Sequence, residues 1–367
     1  MSLMQRMLKT AVKLDDHCSS LDTSNYLETK IMAPTGVPLL DLALAGDIAD
    51  GGMTPGATMF VGDSRTFKTN YMLLMVSAFL KKHEDGICIF FDSEFGAKEA
   101  YWKSFGIDMS RVIHVPFTTV EDLKNKTAKL LDDVQAGDKV ICAIDSISQV
   151  ASNKETEDAK DGKTVADMTR AKALNSFWRI VTPVLTLKEI PLFCINSYYD
   201  DVTNQYAEAK IKGGKQGFLS CDNIWMITRS KIRDSDRQLE GFNFNIKLMK
   251  SRACKEDSKI PITVTFEGGI SKYSGLLDIG RALGFIDMRG KGRYCLTAAV
   301  NGKDDNKSYT KNELKDGADK DLFEPLLACE AFQIAIKKLY SLDGGALSPE
   351  QMEIMDSFDT ETGEVAA

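Results

Sequence analysis

The sequence predicts an α/β fold: a mostly parallel twisted sheet with helices on both faces, antiparallel strands added at one edge, and a small α+β unit after it. Three observations carry this. Strand-length apolar runs alternate with helical patterns over much of the 367-residue chain. Several of those runs are apolar at nearly every position, as strands buried on both faces must be. After Thr228 the pattern changes to apolar–polar alternation, which suits strands with one wet face.

In chain order, the strand-like runs are Ala57–Gly62 (ATMFVG), Ile87–Asp92 (ICIFFD), Val112–Val115 (VIHV), Lys139–Asp145 (KVICAID), Pro191–Asn196 (PLFCIN) and Asn223–Thr228 (NIWMIT). Helical patterns occupy Phe67–Lys82, Ala97–Phe105, Val120–Gln135 and Asp167–Lys188. Pro183 lacks an N–H donor and is expected to kink or split the last of these. The alternation implies right-handed crossovers and a parallel core. Phe242–Lys250 (FNFNIKLMK) and Ile260–Phe266 (IPITVTF) read as the antiparallel edge strands. From Tyr273 onward, SGLLDIGRALGFID opens a small separate domain with a short helix. Gly302–Lys320, rich in Lys, Asp and Asn, reads as a loop, and Pro325–Tyr340 as a final helix. Residues 348–367 carry six acidic and no basic side chains and read as a mobile tail.

Composition excludes several classes. A net charge of −7 leaves no overall basic field, so any nucleic-acid contact must come from local patches. No uninterrupted apolar run has the length of a membrane span. The opening MSLMQRMLKTAVKLDDH has no long apolar stretch, so secretion is not expected. The eight cysteines are scattered, with no CxxC spacing, and Cys88, Cys142 and Cys194 sit inside strand-like runs. They are expected to be reduced core residues of a cytoplasmic protein. With three histidines far apart, a histidine-based metal site is not expected.

Three motifs carry chemistry. The first is Gly62-Asp63-Ser64-Arg65-Thr66-Phe67-Lys68-Thr69, followed by Asn70. It follows an apolar strand and opens a helix, the context of a phosphate-binding P-loop. Backbone N–H groups at the helix start would cradle phosphates, Lys68 would reach the β- and γ-phosphates, and the Thr69 hydroxyl would ligate Mg²⁺. The usual glycine before the lysine is Phe67 here, which carries a strain cost if that position needs a positive φ. The second motif is the strand ending in Asp145-Ser146, whose carboxylate would support the metal beside the P-loop. The third is the strand ending in Asp92-Ser93-Glu94, where Glu94 is placed to take a proton from an attacking water.

The order of these motifs resembles that of the RecA-type strand-exchange recombinases, most closely their phage branch. The residues that carry the resemblance are GGMTPGATMFVGDSRTFKTN, FFDSEFG, IDSISQVASNKETEDA, DMTRAK, the segment around Gly213-Gly214, MKSR and FEGGISKYSGLLDIGRALGF. The resemblance implies a RecA-type P-loop ATPase core that uses ATP and Mg²⁺. It implies that Lys68 and Thr69 bind the triphosphate and Mg²⁺, that Asp145 supports the metal, and that Glu94 is the general base. Tyr101 falls where the family stacks an aromatic ring on adenine. Lys250 and Arg252 fall where a neighbouring subunit inserts cations against the γ-phosphate. The family's glutamine after the strand-end asparagine, which couples the γ-phosphate to the DNA loop, is missing: Asn196 and Ser197 stand at that coupling position and leave the route open.

The resemblance also marks two DNA-contacting segments. One runs from about Asn153 to Val165, followed by Arg170; the other runs from about Tyr198 to Gly217 and contains Lys210, Lys212, Gly213, Gly214 and Lys215. Composition alone reads both as solvated loops. Lys154, Lys160 and Lys163 face four acids in the first, and three lysines balance Asp200, Asp201 and Glu208 in the second. Their length and position directly after core strands favour function. Tyr198, Tyr199, Tyr206 and Phe218 supply rings that can meet bases.

The expected function is an ATP-dependent strand-exchange recombinase that forms helical filaments on single-stranded DNA and pairs it with duplex DNA in the cytoplasm of a host cell. A single-strand-binding protein and a recombination mediator are the implied partners, with no membrane. The expected division is an oligomerisation segment over 1–35, an ATPase core over 36–270, a small domain over 271–345 and the acidic tail over 346–367. A helicase motor or a regulatory paralogue would share the core. A helicase would add a dedicated N-terminal domain, and few residues precede the P-loop.

Overall fold

The computed structural model describes residues 1–15, 17–162, 168–199, 210–233, 236–290, 292–302 and 307–342. Part of each expected DNA-contacting segment (Lys163, Val165 and 200–209) and the acidic tail lie outside these residues.

The chain opens with helix α1, Leu3–Leu14, closed by a capping box between Ser2 and Gln5. None of its residues is buried, and Leu3, Met4, Met7 and Leu14 are exposed. Helix α2, Pro38–Ala45, has proline in its first turn and ends at Gly46 in the left-handed region. The alternating core follows: β1 Gly56–Val61, α3 Lys68–Lys82, β2 Ile87–Asp92, α4 Glu99–Ser104, β3 Val112–Pro116, α5 Val120–Asp133 and β4 Val140–Asp145. Then come α6 Asn153–Lys160, α7 Thr169–Leu187, β5 Pro191–Asn196, the two-residue strands β6 Tyr198–Tyr199 and β7 Lys210–Ile211, and α8 Lys215–Ser220. The antiparallel part is built from β8 Asn223–Arg233, β9 Leu239–Lys250, β10 Lys259–Thr265 and β11 Gly269–Ile270.

Among the described residues nine strands form one sheet in the order β11-β10-β9-β8-β1-β5-β4-β2-β3. The contacts from β8 through β3 are parallel, and those from β8 to β11 are antiparallel. This is the sheet that the sequence predicts. Successive side chains of a strand face opposite sides, and here both sides are covered. Phe60, Phe90 and Phe193 enter one hydrophobic cluster with α2, α3 and the C-terminal elements. Met59, Phe91 and Cys194 enter the other, with α5 and α7. That is why these runs are apolar at nearly every position.

The remaining elements are α9 Leu276–Ala282, β12 Ile286–Arg289, β13 Arg293–Leu296, α10 Ala298–Asn301, β14 Tyr309–Thr310, α11 Lys311–Glu313, α12 Asp319–Ala328 and α13 Glu330–Tyr340. Leu276, Leu326, Phe332 and Ile336 join the same cluster as Phe60.

Three expectations are corrected here. Helix α7 is one helix through Pro183, so the chain is not split there. The carbonyl that loses its donor belongs to Arg179, which is exposed, so water can satisfy it. The stretch expected as a loop contains β14, α11 and a π-type turn over Leu314–Ala318, because Thr310 and Glu313 form a capping box that nucleates helix. The final helix is two helices, since Cys329 takes an extended conformation between them and lets both Leu326 and Phe332 reach the core.

Phe67 is the strained point of the core. It sits at φ 70°, ψ 15° as the N-cap of α3. A left-handed non-glycine residue costs roughly 1–2 kcal/mol. Its ring stacks on Phe244 at 5.1 Å and meets Tyr71 edge-on at 5.4 Å. Two such aromatic pairs contribute roughly 0.5–1.5 kcal/mol each beyond burial, so packing offsets the strain. Phe67→Gly should therefore destabilise the full chain in urea unfolding. In a Phe244→Ala background the same substitution should cost about 1 kcal/mol less. A Phe67→Gly chain as stable as the parent would contradict this balance.

Candidate functional site

The strand register gathers the chemistry at one edge of the sheet. Val61, the last residue of β1, lies beside Asn196 of β5, and Asp92 of β2 lies beside Asp145 of β4. The loop 62–67 leaves β1 at this edge and enters α3. Gly62 is required by close approach: a Cβ there would lie 2.6 Å from the Ile227 carbonyl oxygen. Thr66 Oγ1 donates to the Asp63 carbonyl at 2.8 Å, closing the loop on itself. Ser64, Arg65 and Asp63 are exposed along its rim.

The Lys68 ammonium lies inside this loop, donating to the carbonyls of Gly62 at 2.8 Å and Asp63 at 2.6 Å. Burial lowers its pKa from the ordinary lysine value, and the carboxylates of Asp145, Glu94 and Asp63 oppose that fall. Thr69, in the first turn of α3, donates its hydroxyl to Asp145 Oδ2 at 2.8 Å. Burial pushes the Asp145 carboxyl up to about 6; the Thr69 hydrogen bond opposes the rise, while the charges of Glu94 and Asp92 add to it. Hydroxyl and carboxylate oxygens suit Mg²⁺, which takes a few protein ligands and leaves the rest to phosphate and water.

Glu94 is held from two sides. The Glu94 and Phe95 amides donate to Asp92 Oδ1 at 3.0 and 2.8 Å. Ser146 Oγ donates to Glu94 Oε1 at 2.6 Å, and Ser93 Oγ donates to the Ser146 carbonyl at 2.8 Å. Asp92, Ser93 and Ser146 are supports that sequence reasoning left without a role. Their signal was present in the paired strand ends Asp92-Ser93 and Asp145-Ser146.

A cleft of about 370 Å³ opens over the loop, within the range of small-molecule sites. Besides Ser64 to Asn70 it is lined by Glu94, Tyr101, Asp145, Asn196 and Ser197. Tyr101 is exposed, so its ring face is open to a ligand. Asn196 is buried; its Nδ2 donates to the Lys212 carbonyl at 2.8 Å and its Oδ1 accepts from the Ser197 amide. Among the described residues, Ser197 Oγ is buried without a hydrogen-bond partner.

Other expected residues lie outside this cleft. The Arg170 guanidinium donates to the carbonyls of Val150, Ile147 and Ser148, so it braces the chain after β4. Lys210 stands in β7, which pairs with β6, and the Lys212 ammonium lies 5.1 Å from the centre of the Tyr199 ring. Gly213 and Gly214 take φ 98° and 88°, and Lys215 opens α8. Lys250 and Arg252 stand away from this chain's own P-loop. Lys250 Nζ donates to the Phe218 and Leu219 carbonyls of α8. Arg252 pairs with Asp222, whose other oxygen accepts from the Ala57 amide at the start of β1, opposite the phosphate end.

A glycine-led loop entering a helix, a buried carboxylate on the threonine after its lysine, and a glutamate on the next strand end define a RecA-type P-loop ATPase. No family model matches the chain. It is 38% identical over 339 residues to the recombination and repair protein of Enterobacteria phage T4, covering 91% of this chain and 84% of that one. It is 23% identical over 286 residues to the RecA protein of Phytoplasma mali, covering 77% and 81%. It is 24% identical over 288 residues to the RecA protein of Nautilia profundicola, covering 76% and 78%. The chain belongs to the RecA family, and to the part of it that holds the phage T4 protein.

The raised Asp145 pKa makes a stability prediction. A rise from 3.8 to about 6 corresponds to a penalty on the order of 3 kcal/mol for the charged form. The penalty is fully present above pH 6 and absent below pH 3.8. Asp145→Asn should therefore raise stability at pH 8 in urea unfolding, with the advantage shrinking toward pH 4. A variant less stable than the parent at pH 8 would argue against a burial penalty.

Proposed function

We propose that this RecA-type ATPase is an ATP-dependent DNA strand-exchange recombinase. It polymerises on single-stranded DNA as a helical filament and tests duplex DNA for complementarity. The observation that carries this reading is the separation of the cations: Lys250 and Arg252 stand away from the chain's own P-loop, with Arg252 tied to the start of β1. A site that needs them is complete only between two copies.

The residues divide the work. The amides of 63–69 and the Lys68 ammonium hold the triphosphate. Thr69 and Asp145 would hold Mg²⁺, which would neutralise charge on the phosphate oxygens. Glu94, fixed by Ser146 and Asp92, takes the proton of the attacking water. Tyr101 stacks on the base, and Lys250 and Arg252 of a neighbouring copy meet the γ-phosphate. Lys210, Lys212 and Lys215, with the amides of Gly213 and Gly214, bind DNA phosphates, while Arg170 supports the first DNA segment through its carbonyl contacts. Base pairing supplies sequence recognition, so an acidic chain with local lysines suffices. A single-strand-binding protein and a loading mediator are the partners that suit such a filament. Among the described residues no helix is long and apolar enough to cross a membrane.

Two measurements test this. Lys68→Ala should abolish hydrolysis of ATP stimulated by single-stranded DNA, and Glu94→Gln should bind ATP yet turn over roughly 10²–10⁴-fold more slowly. Wild-type turnover in the Glu94 variant would remove it as the base. A chain lacking both Lys250 and Arg252 should bind nucleotide but not hydrolyse it on DNA. Mixed in excess with the parent, it should suppress activity beyond simple dilution. Loss in proportion to dilution alone would count against shared sites.

A further inference from the structure

One side chain joins the phosphate loop to the basic strand pair β6–β7. Tyr198, the first residue of β6, donates its hydroxyl to Asp63 Oδ2 at 3.1 Å. Asp63 is the second residue of the phosphate loop, and its carbonyl accepts from the Lys68 ammonium. On the other side, Tyr198 is paired with Ile211, between Lys210 and Lys212. The Lys212 amide donates to the Ser197 carbonyl at 3.0 Å, and Asn196 Nδ2 holds the Lys212 carbonyl. A continuous path therefore runs from the phosphate-binding ammonium, through Asp63 and Tyr198, to both lysines.

We infer that the Tyr198 hydroxyl is the positioning group that couples nucleotide binding to the posture of Lys210 and Lys212, in place of the glutamine absent after Asn196. The inference rests on the reading of Lys68 as a phosphate ligand and of these lysines as DNA ligands. Its physical basis is competition for one cation. A triphosphate bonds the Lys68 ammonium more strongly than a neutral carbonyl does, so binding draws Lys68 away from Asp63. The same polyanion repels the Asp63 carboxylate, which sits on the exposed rim of the loop. Residue 63 cannot shift without changing its bond to Tyr198, and Tyr198 cannot shift without carrying β6 and β7. A ligand moves an equilibrium only through contacts that differ between two states, and this hydrogen bond is such a contact.

The test measures single-stranded DNA affinity of the full chain with and without a non-hydrolysable ATP analogue, for the parent and for Tyr198→Phe. The substitution keeps the ring and removes only the hydroxyl. The analogue-driven gain in DNA affinity should fall roughly two- to tenfold, the usual worth of one hydrogen bond. By linkage, the DNA-driven gain in analogue affinity should fall by the same factor. Asp63→Ala should reduce the gain similarly, and the double variant should lose no more than either single one. A hydroxyl that only contacts DNA or supports the fold would weaken both DNA affinities equally and leave the gain intact; that result overturns the inference. A parent chain whose DNA affinity ignores the analogue would overturn the functional reading, and this inference with it. A parent gain that survives Tyr198→Phe unchanged overturns the inference alone.

Discussion

Burial of the parallel strands on both faces is the constraint on which the site depends. Each strand from β8 to β3 must keep its register, because a one-residue slip would exchange the residues of the two hydrophobic clusters. That register sets Asp92 beside Asp145 and Val61 beside Asn196. The strands run the same way, so their polar last residues emerge at one edge, where loops can carry chemistry. The Thr69–Asp145 contact, the Ser146–Glu94 contact and the Asn196 anchor are all consequences of that alignment.

The antiparallel strands do a different job. Strand β9 carries Phe244, which supports the strained Phe67 in loop 62–67, and it ends in Lys250, two residues before Arg252. One strand thus stabilises the chain's own phosphate loop and presents cations away from it. In the proposed function, a neighbouring copy supplies the cations that this layout keeps away from the chain's own cleft. Among the described residues, α1 leaves Leu3, Met4, Met7 and Leu14 exposed.

Much of this was legible in the sequence because strand burial and P-loop spacing are local patterns. Ile87–Asp92 and Pro191–Asn196 are strands at the bounds read from composition, and Lys68, Thr69, Asp145 and Glu94 come together. Contacts between distant segments were not legible. Nothing in the order of residues shows that Phe67 rests on Phe244, that Ser146 holds Glu94, or that Tyr198 reaches Asp63. Arg170 had the charge of a DNA ligand, yet three carbonyls near the end of β4 occupy it. That Pro183 would not split its helix was not legible, because local rules do not say which carbonyl faces water. Charge and propensity are properties of single residues; partners are a property of the fold.

In the proposed function, nucleotide hydrolysis serves the pairing of homologous DNA. The most direct measurement incubates the protein, ATP and Mg²⁺ with a circular single strand and a linear duplex, and follows joint molecules. Joint molecules should form with a homologous duplex, none with an unrelated one, and none without ATP. Hydrolysis stimulated by single-stranded DNA, with no joint molecules formed on the homologous duplex, would contradict it and leave an ATPase motor without strand exchange.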